Sequence, residues 1–310
     1  MGNSSHCRSS RPALAALVVL AACSAARAPI TPPAPVAPAT VAAAGLPNRA
    51  GSLRFAVIGD SGTGQSPQYE VAQEMARWHE QFPFALVLML GDNIYGSQRP
   101  ADFIQKFARP YGPLLDAGVL FYASLGNHDT DEREQTRYPA FHMDGRSYYS
   151  VKAPAQDVRF FALDSSRMDA AQLAWLRRDL AASTEAWKIA FFHHPLYSSG
   201  RRHGSTVALR EQLEPLFIQY HVSVVLSGHD HVYERIKPQH GIAYFVEGAS
   251  GQLRAGNLRH DSPLTARGDD QDRSFMLMEI DGHELHFATI TRLGTIVDSG
   301  VIQLPVTSRQ

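Results

Sequence analysis

Cysteine is nearly missing from this chain: among 310 residues only Cys7 and Cys23 carry a thiol, and nothing beyond residue 23 does. A disulfide framework and a thiolate metal site are therefore excluded from the folded body. An excess of charge of either sign is missing too, with 29 Lys plus Arg against 30 Asp plus Glu and a formal charge of -1. No global basic field exists to hold a nucleic-acid backbone, so no nucleic-acid-binding surface is expected. Long apolar runs are scarce, and the stretch 13–22 is too short to span a bilayer as a stable helix. Charged residues make up only 19% against 44% hydrophobic, which excludes a largely disordered chain and leaves enough apolar side chain for a sizeable core. What is abundant is histidine, 14 in all. It is both the commonest neutral metal ligand and the usual acid or base near neutral pH.

Arg8 and Arg11 precede the 13–22 stretch, the order of a secretory signal. The stretch ends in Leu20-Ala21-Ala22-Cys23, which resembles the lipobox of bacterial lipoproteins. That resemblance implies a signal peptide over 1–22, export, and lipidation of Cys23. The chain would then be anchored to a bacterial cell-envelope membrane, periplasmic or at the cell surface, without spanning it. An ordinary signal peptide cut at a nearby small residue is the alternative. Residues 23–51 are rich in Ala and Pro and contain no acid, which reads as a semi-extended tether. From 52 to 305 there is no second low-complexity break and no internal repeat, so one catalytic-sized domain is expected there.

Within that domain short apolar runs alternate with amphipathic stretches, which predicts strands separated by helices. Strands are expected at 53–58, 85–90, 120–123, 158–163, 188–192 and 222–227, and helices at 67–81, 101–108, 169–180 and 206–220. After residue 243 the helical pattern stops. Residues 244–247, 275–280, 284–290 and 295–304 read as antiparallel strands, with Asp281-Gly282 a hairpin signal. The fold class that follows is α/β, a mixed sheet sandwich with helices outside. Trp78 and Trp175 sit among apolar residues at helical spacing and are expected in the core.

The chemistry lies just after the buried strands. Residues 53–58 lead into Gly59-Asp60-Ser61-Gly62, 85–90 into Gly91-Asp92-Asn93-Ile94-Tyr95, and 120–123 into Gly126-Asn127-His128-Asp129. Residues 188–192 lead into His193-His194-Pro195, and 222–227 into Gly228-His229-Asp230-His231. Ligands in open α/β sheets gather outside the carboxyl ends of the strands, so these loops should converge. Singly, a Gly-Asp after a strand is more often a turn than a ligand. Together the loops offer oxygen and nitrogen without sulfur, a set that suits hard or borderline cations.

The ordered set resembles the calcineurin-like metallophosphoesterases, and more narrowly the purple acid phosphatase branch, from Arg54 to about Leu304. The narrower resemblance rests on Tyr95, three residues after Asp92. The family fold is a four-layer α-β-β-α sandwich of two mixed sheets with helices on the outer faces. Position by position, the resemblance implies a first ion, usually ferric iron, held by Asp60, Asp92, Tyr95 and His231. A second, divalent ion (iron, zinc or manganese) would be held by Asp92, Asn127, His193 and His229, with Asp92 bridging. The family's histidine, any residue, proline pattern fits His193-His194-Pro195 and puts His194 in the variable place. One departure is Ala190, where the family has valine.

The same resemblance implies hydrolysis of a small phosphate monoester by attack of metal-bound hydroxide, with His128 and His203 in catalytic roles. His203 would face the substrate from the loop after residue 195. His128 would bind phosphate or protonate the leaving group, or instead fix its loop through Asp129. Arg201 and Arg202 either draw an anion toward the ions or form a solvated pair. Tyr233-Glu234-Arg235 is expected to brace the last histidine motif. Two alternatives stand beside the monoesterase: a phosphodiesterase acting on nucleotides or lipid headgroups, and a non-catalytic surface binding protein that keeps the fold.

Overall fold

The computed structural model describes residues 1–3 and 40–304. The apolar stretch 13–22, Cys23 and most of the expected tether lie outside the described residues. Among the described residues, no helix is long and apolar enough to cross a membrane. The part of residues 23–51 that is described is docked rather than extended. Val41 packs against the core, Ala44 and Leu46 are buried within it, and the N–H groups of Asn48 and Arg49 both donate to the Glu279 carboxylate at 2.6 Å. The packed body therefore starts before residue 52. The Ala-rich composition hides a few apolar side chains that find a surface to cover.

Alternation along the strands sets the layers. The first sheet runs β13-β12-β11-β1-β2-β3. Its members are β1 (Leu53–Ile58), β2 (Leu86–Met89), β3 (Leu120–Ala123), β11 (Ser274–Asp281), β12 (Glu284–Thr291) and β13 (Ile296–Gln303). The second runs β10-β8-β9-β7-β6-β5-β4. It comprises β4 (Tyr149–Lys152), β5 (Val158–Ala162), β6 (Trp187–Phe191), β7 (Val224–Ser227), β8 (Tyr233–Ile236), β9 (Ala243–Glu247) and β10 (Thr265–Asp269). Strands β1, β2 and β3 are parallel, as are β5, β6, β7 and β9; β11, β12 and β13 of the first sheet and β4, β8 and β10 of the second pair antiparallel with their neighbours.

Successive side chains of a strand point to opposite faces. Phe160, Ile189, Phe191, Val224, Leu226 and Phe245 accordingly join the core between the sheets. Their neighbours Phe161, Ala190, Val225 and Tyr244 instead pack with Leu176 and Leu180 of α5 (Ala170–Ala182) and Leu209, Leu213 and Leu216 of α6 (Val207–Gln219). Across the inter-sheet layer Phe55 meets Phe160 edge to face at 5.3 Å, and Phe245 meets Phe287 at 5.0 Å. Arg235 of β8 forks onto Asp298 of β13 at 2.7 and 3.1 Å, and Tyr233 donates to the same carboxylate at 2.7 Å. On the first sheet's side, α1 (Ser66–Gln81) buries Val71, Met75 and Trp78. The α/β sandwich with two mixed sheets and outer helices is thus the observed fold.

Three differences from the expected elements have local causes. Residues 101–108 are not one α-helix: α2 (Pro100–Phe103) gives way to a π-helical stretch at Ile104–Ala108. The short helices α3 (Gly112–Asp116) and α4 (Glu132–Arg137) have too few turns to show a periodicity. Strands β8 and β10 carry little apolar alternation, β4 alternates over only four residues, and β4 and β10 are edge strands. Trp78 is buried as expected, whereas Trp175 is half-buried and rests against Tyr148 at 5.0 Å.

Two expectations follow. Phe160→Ala removes a ring between the sheets and should lower the urea-unfolding free energy by about 3–5 kcal/mol. Glu247, at the end of β9, is fully buried, and burial pushes its carboxyl up to about 8 despite hydrogen bonds from Ser274 and the Ala249 N–H. The folded chain then binds this proton more tightly than the unfolded chain, whose value lies near 4.5, so its contribution is greatest below 4.5 and is lost as pH rises toward 8. In urea titrations Glu247→Gln should gain on the wild type progressively between those limits.

Candidate metal centre

The parallel strands of both sheets end at one place, and each hands over its loop there. Asp60 follows β1, Asp92 and Tyr95 follow β2, Asn127 and His128 follow β3, His193 follows β6, and His229 and His231 follow β7. The loops turn sharply: Asp60, Asp92 and His229 have φ of 53°, 52° and 70°, in the left-handed region that non-glycine residues seldom occupy. Strain at three adjacent polar positions marks a site held in shape by its surroundings. Close approach also dictates two glycines. A Cβ at Gly126 would fall on the Asp92 carboxylate, and one at Gly228 on that of Asp60.

All seven ligands expected from the sequence meet. Tyr95 donates its hydroxyl to Asp60 Oδ1 at 3.0 Å and stands 3.3 Å from His231 Nε2, which is itself 3.3 Å from Asp60 Oδ1. On the other side, His193 Nε2 is 3.0 Å from Asn127 Oδ1 and 3.1 Å from His229 Nδ1. Asp92 joins the halves. Its donor atoms group with those of Asp60 and His231 within 4.8 Å, and its Oδ1 lies 3.5 Å from His193 Nε2. Its Oδ2 is buried without a hydrogen-bond partner.

The electrostatics of this cluster suit a cation. The Leu90 carbonyl, 3.0 Å from His193 Nδ1, can only accept, so the neutral ring keeps its proton there and turns the Nε2 lone pair inward. That lone pair faces the Asn127 and Asp92 oxygens, which are acceptors as well. Burial holds His193 well below the usual imidazole value, and it pushes His229 down to about 2, helped by the nearby His193. Burial and the charge of Arg254 bring His231 down to about 4. Burial, followed by the charge of Asp92, raises Asp60, and burial with the Asp60 and Asp92 charges raises Tyr95. Lone pairs converge with too few protons to separate them, and positive charge at their centre would satisfy them all. The donor set therefore fits two cations sharing Asp92.

His128 and His203 stand at opposite ends of the cluster, both exposed. The His128 ring lies 4.8 Å from that of Tyr95, and its backbone N–H donates to Asp92 Oδ1 at 2.8 Å. The His203 ring tilts over His229 at 4.1 Å. The alternative expected for His128, a hydrogen bond to Asp129, is not made; Asp129 instead receives N–H groups from Asn93, Ile94 and Gly126 at 2.9–3.1 Å. It ties the second and third strand-end loops together directly. His194, placed as variable, also brings its ring near His229, at 4.4 Å, with Nδ1 3.0 Å from Ser165 Oγ. Its donor atom groups with those of His193 and His229.

Several residues outside the expected ligand set support the site. Asp230, buried between the two histidines of its motif, accepts from Ser198 Oγ at 2.6 Å and from the Gly204 N–H at 3.0 Å, and so shapes the loop bearing His203. Tyr233-Glu234-Arg235 does not brace the last histidine motif with its side chains as expected: Glu234 accepts the Ser199 N–H at 2.8 Å and so braces the loop bearing His203, while Tyr233 and Arg235 reach Asp298. Lys106, on the π-helical stretch, donates to the Tyr95 carbonyl at 2.6 Å. Arg201 and Arg202 are exposed, and their backbone N–H groups are tied to Asn257.

Comparison with known proteins agrees with this geometry. A family model described as calcineurin-like phosphoesterase matches residues 53–233. Tartrate-resistant acid phosphatase type 5 of Homo sapiens is 28% identical over 251 residues, covering 67% of this chain and 76% of that protein. Purple acid phosphatase 17 of Arabidopsis thaliana is 29% identical over 250 residues, covering 69% and 72%. Among solved structures, the purple acid phosphatase PPD1 from Lupinus luteus seeds matches with a TM-score of 0.69 at 19% identity, over 85% of this chain and 58% of that one. GAP50, the anchor in the inner membrane complex of Plasmodium, shares the fold with a TM-score of 0.72 at 16% identity, over 84% and 91%. With the family model matching more than half of its length, the chain belongs to the calcineurin-like phosphoesterases, and its sequence relatives there are purple acid phosphatases.

Proposed function

We propose that this chain is an exported phosphatase that hydrolyses phosphate monoesters at a pair of metal ions, a ferric ion and a divalent iron, zinc or manganese. The observation that carries the reading is Asp92, a buried carboxylate lying between two donor groups with one oxygen left unpartnered. In this reading Asp60, Asp92, Tyr95 and His231 hold the first ion, and Asp92, Asn127, His193 and His229 the second. Such a pair supplies Lewis acidity toward phosphoryl oxygens and acidifies water toward neutrality.

The chain's own groups do the remaining work. The Leu90 carbonyl fixes the His193 tautomer, and the His229 N–H donates to Asp60 Oδ2 at 2.8 Å, aiming both carboxylate and imidazole inward. The Tyr95 phenol, raised by burial and two carboxylates, ionises only against a strong positive charge, which favours a trivalent ion beside it. In this reading the exposed His203 and His128 orient the phosphoryl group and deliver a proton to the departing ester oxygen as the phosphorus–oxygen bond breaks. The acid phosphatase relatives support a small phosphoester as substrate. Export and an anchor at Cys23 belong to the same reading and rest on Arg8, Arg11, the short apolar stretch and the Leu20-Ala21-Ala22-Cys23 sequence.

Metal analysis of Asp92→Ala should show both ions lost, together with hydrolysis of para-nitrophenyl phosphate. Tyr95→Phe should abolish a visible tyrosinate-to-iron absorption; an active wild type that is colourless and iron-free would remove ferric iron from the account. His203→Ala should keep its metals while kcat falls by about 10²–10⁴-fold. Equal metal loss in that variant would make His203 a structural residue.

A further inference from the structure

The loop after β9, beyond the histidine motifs, is laid directly against the first-ion side of the cluster. The Gln252 N–H donates to the Asp60 carbonyl at 3.1 Å, and the Arg254 N–H donates to the His231 carbonyl at 3.0 Å. The far end of the same loop is sewn to the loop bearing His203: the Arg201 N–H donates to the Asn257 carbonyl at 2.7 Å, and the Arg202 N–H to Asn257 Oδ1 at 2.9 Å. Arg254 thus sits on a segment registered to two metal-ligand residues and to the candidate acid.

Its side chain is unusual among the partly buried arginines. Arg159, Arg235 and Arg292 are each held by a carboxylate. Arg254 is half-buried, and its Nη1 is fully shielded from solvent with no hydrogen-bond partner. That nitrogen is itself out of a ligand's reach, but the rest of the half-buried guanidinium has no acceptor paired to it among the described residues, which leaves strong donors for an anion. The backbone bond to the His231 carbonyl sets this charge beside the cluster. A cation with an idle donor beside a centre that handles phosphate is suited to an oxygen anion.

We propose that Arg254 is a specificity residue that binds the third non-bridging oxygen of a phosphate monoester and so favours monoesters over diesters. The inference rests on the dinuclear phosphatase reading, in which the two ions each take one phosphoryl oxygen. A monoester has three non-bridging oxygens and leaves one for Arg254. A diester has two, and its second ester group meets the guanidinium instead.

The test uses metal-loaded wild type, Arg254→Met and Arg254→Lys, with metal content measured in each. Orthophosphate binding is followed by calorimetry, and kcat/KM is measured for para-nitrophenyl phosphate and its bis ester. Arg254→Met should weaken orthophosphate and lower monoester kcat/KM by about 10- to 100-fold, the loss of one charged hydrogen bond. The bis ester should be hydrolysed as well as before, and Arg254→Lys should fall between. Unchanged orthophosphate binding, an equal fall for both esters, or metal loss in both variants would overturn the proposal. A metal-loaded wild type that hydrolyses neither ester would sink the phosphatase reading itself, while the calorimetry would still report whether Arg254 holds the anion.

Discussion

The convergence of electron-pair donors at the strand ends is the constraint on which the rest of this structure depends. Two buried carboxylates, three imidazoles, an amide oxygen and a phenol crowd together, and the protons available do not suffice to pair them. Left alone, such a cluster is unfavourable, since each buried polar group without a partner costs about 1–3 kcal/mol. A cation turns the same arrangement from a cost into a binding site. Burial keeps the histidines neutral and their lone pairs available, so the low dielectric that penalises the cluster also prepares it.

The fold supplies the stiffness this requires. Parallel strands from two sheets deliver their loops to one edge, and the packed aromatic layer between the sheets keeps that edge from spreading. Left-handed backbone at Asp60, Asp92 and His229 is tolerated because neighbouring groups overdetermine it. Asp129 and Asp230 do much of this work, each gathering N–H or hydroxyl donors from other loops. A second ring of carboxylates thus positions the first.

Much of this was legible in the sequence, for physical reasons that also explain what was not. Buried parallel strands are short apolar runs, so the loops carrying Asp60, Asp92, Asn127, His193 and His229 could be located by position, while the roles of these residues as ligands came only from the family resemblance. The edge strands β4 and β10 offered no such contrast, and the π-helical stretch at Ile104–Ala108 has a pattern indistinguishable from an α-helix over so few residues. Residues 41–51 looked like tether because alanine and proline dominate, yet Ala44 and Leu46 are buried. Arg254 was invisible for a different reason. Its significance lies in a half-buried guanidinium without a paired acceptor and in the loops around it, and neither leaves a trace in local sequence.

The central claim is that Asp92 is shared by two ions. Anomalous diffraction from crystals of the metal-loaded protein tests it most directly. The account predicts two peaks, roughly 3.5–4 Å apart, flanking the Asp92 carboxylate. One lies toward Asp60, Tyr95 and His231, and the other toward Asn127, His193 and His229. A single peak, or peaks elsewhere with Asp92 unengaged, would contradict it.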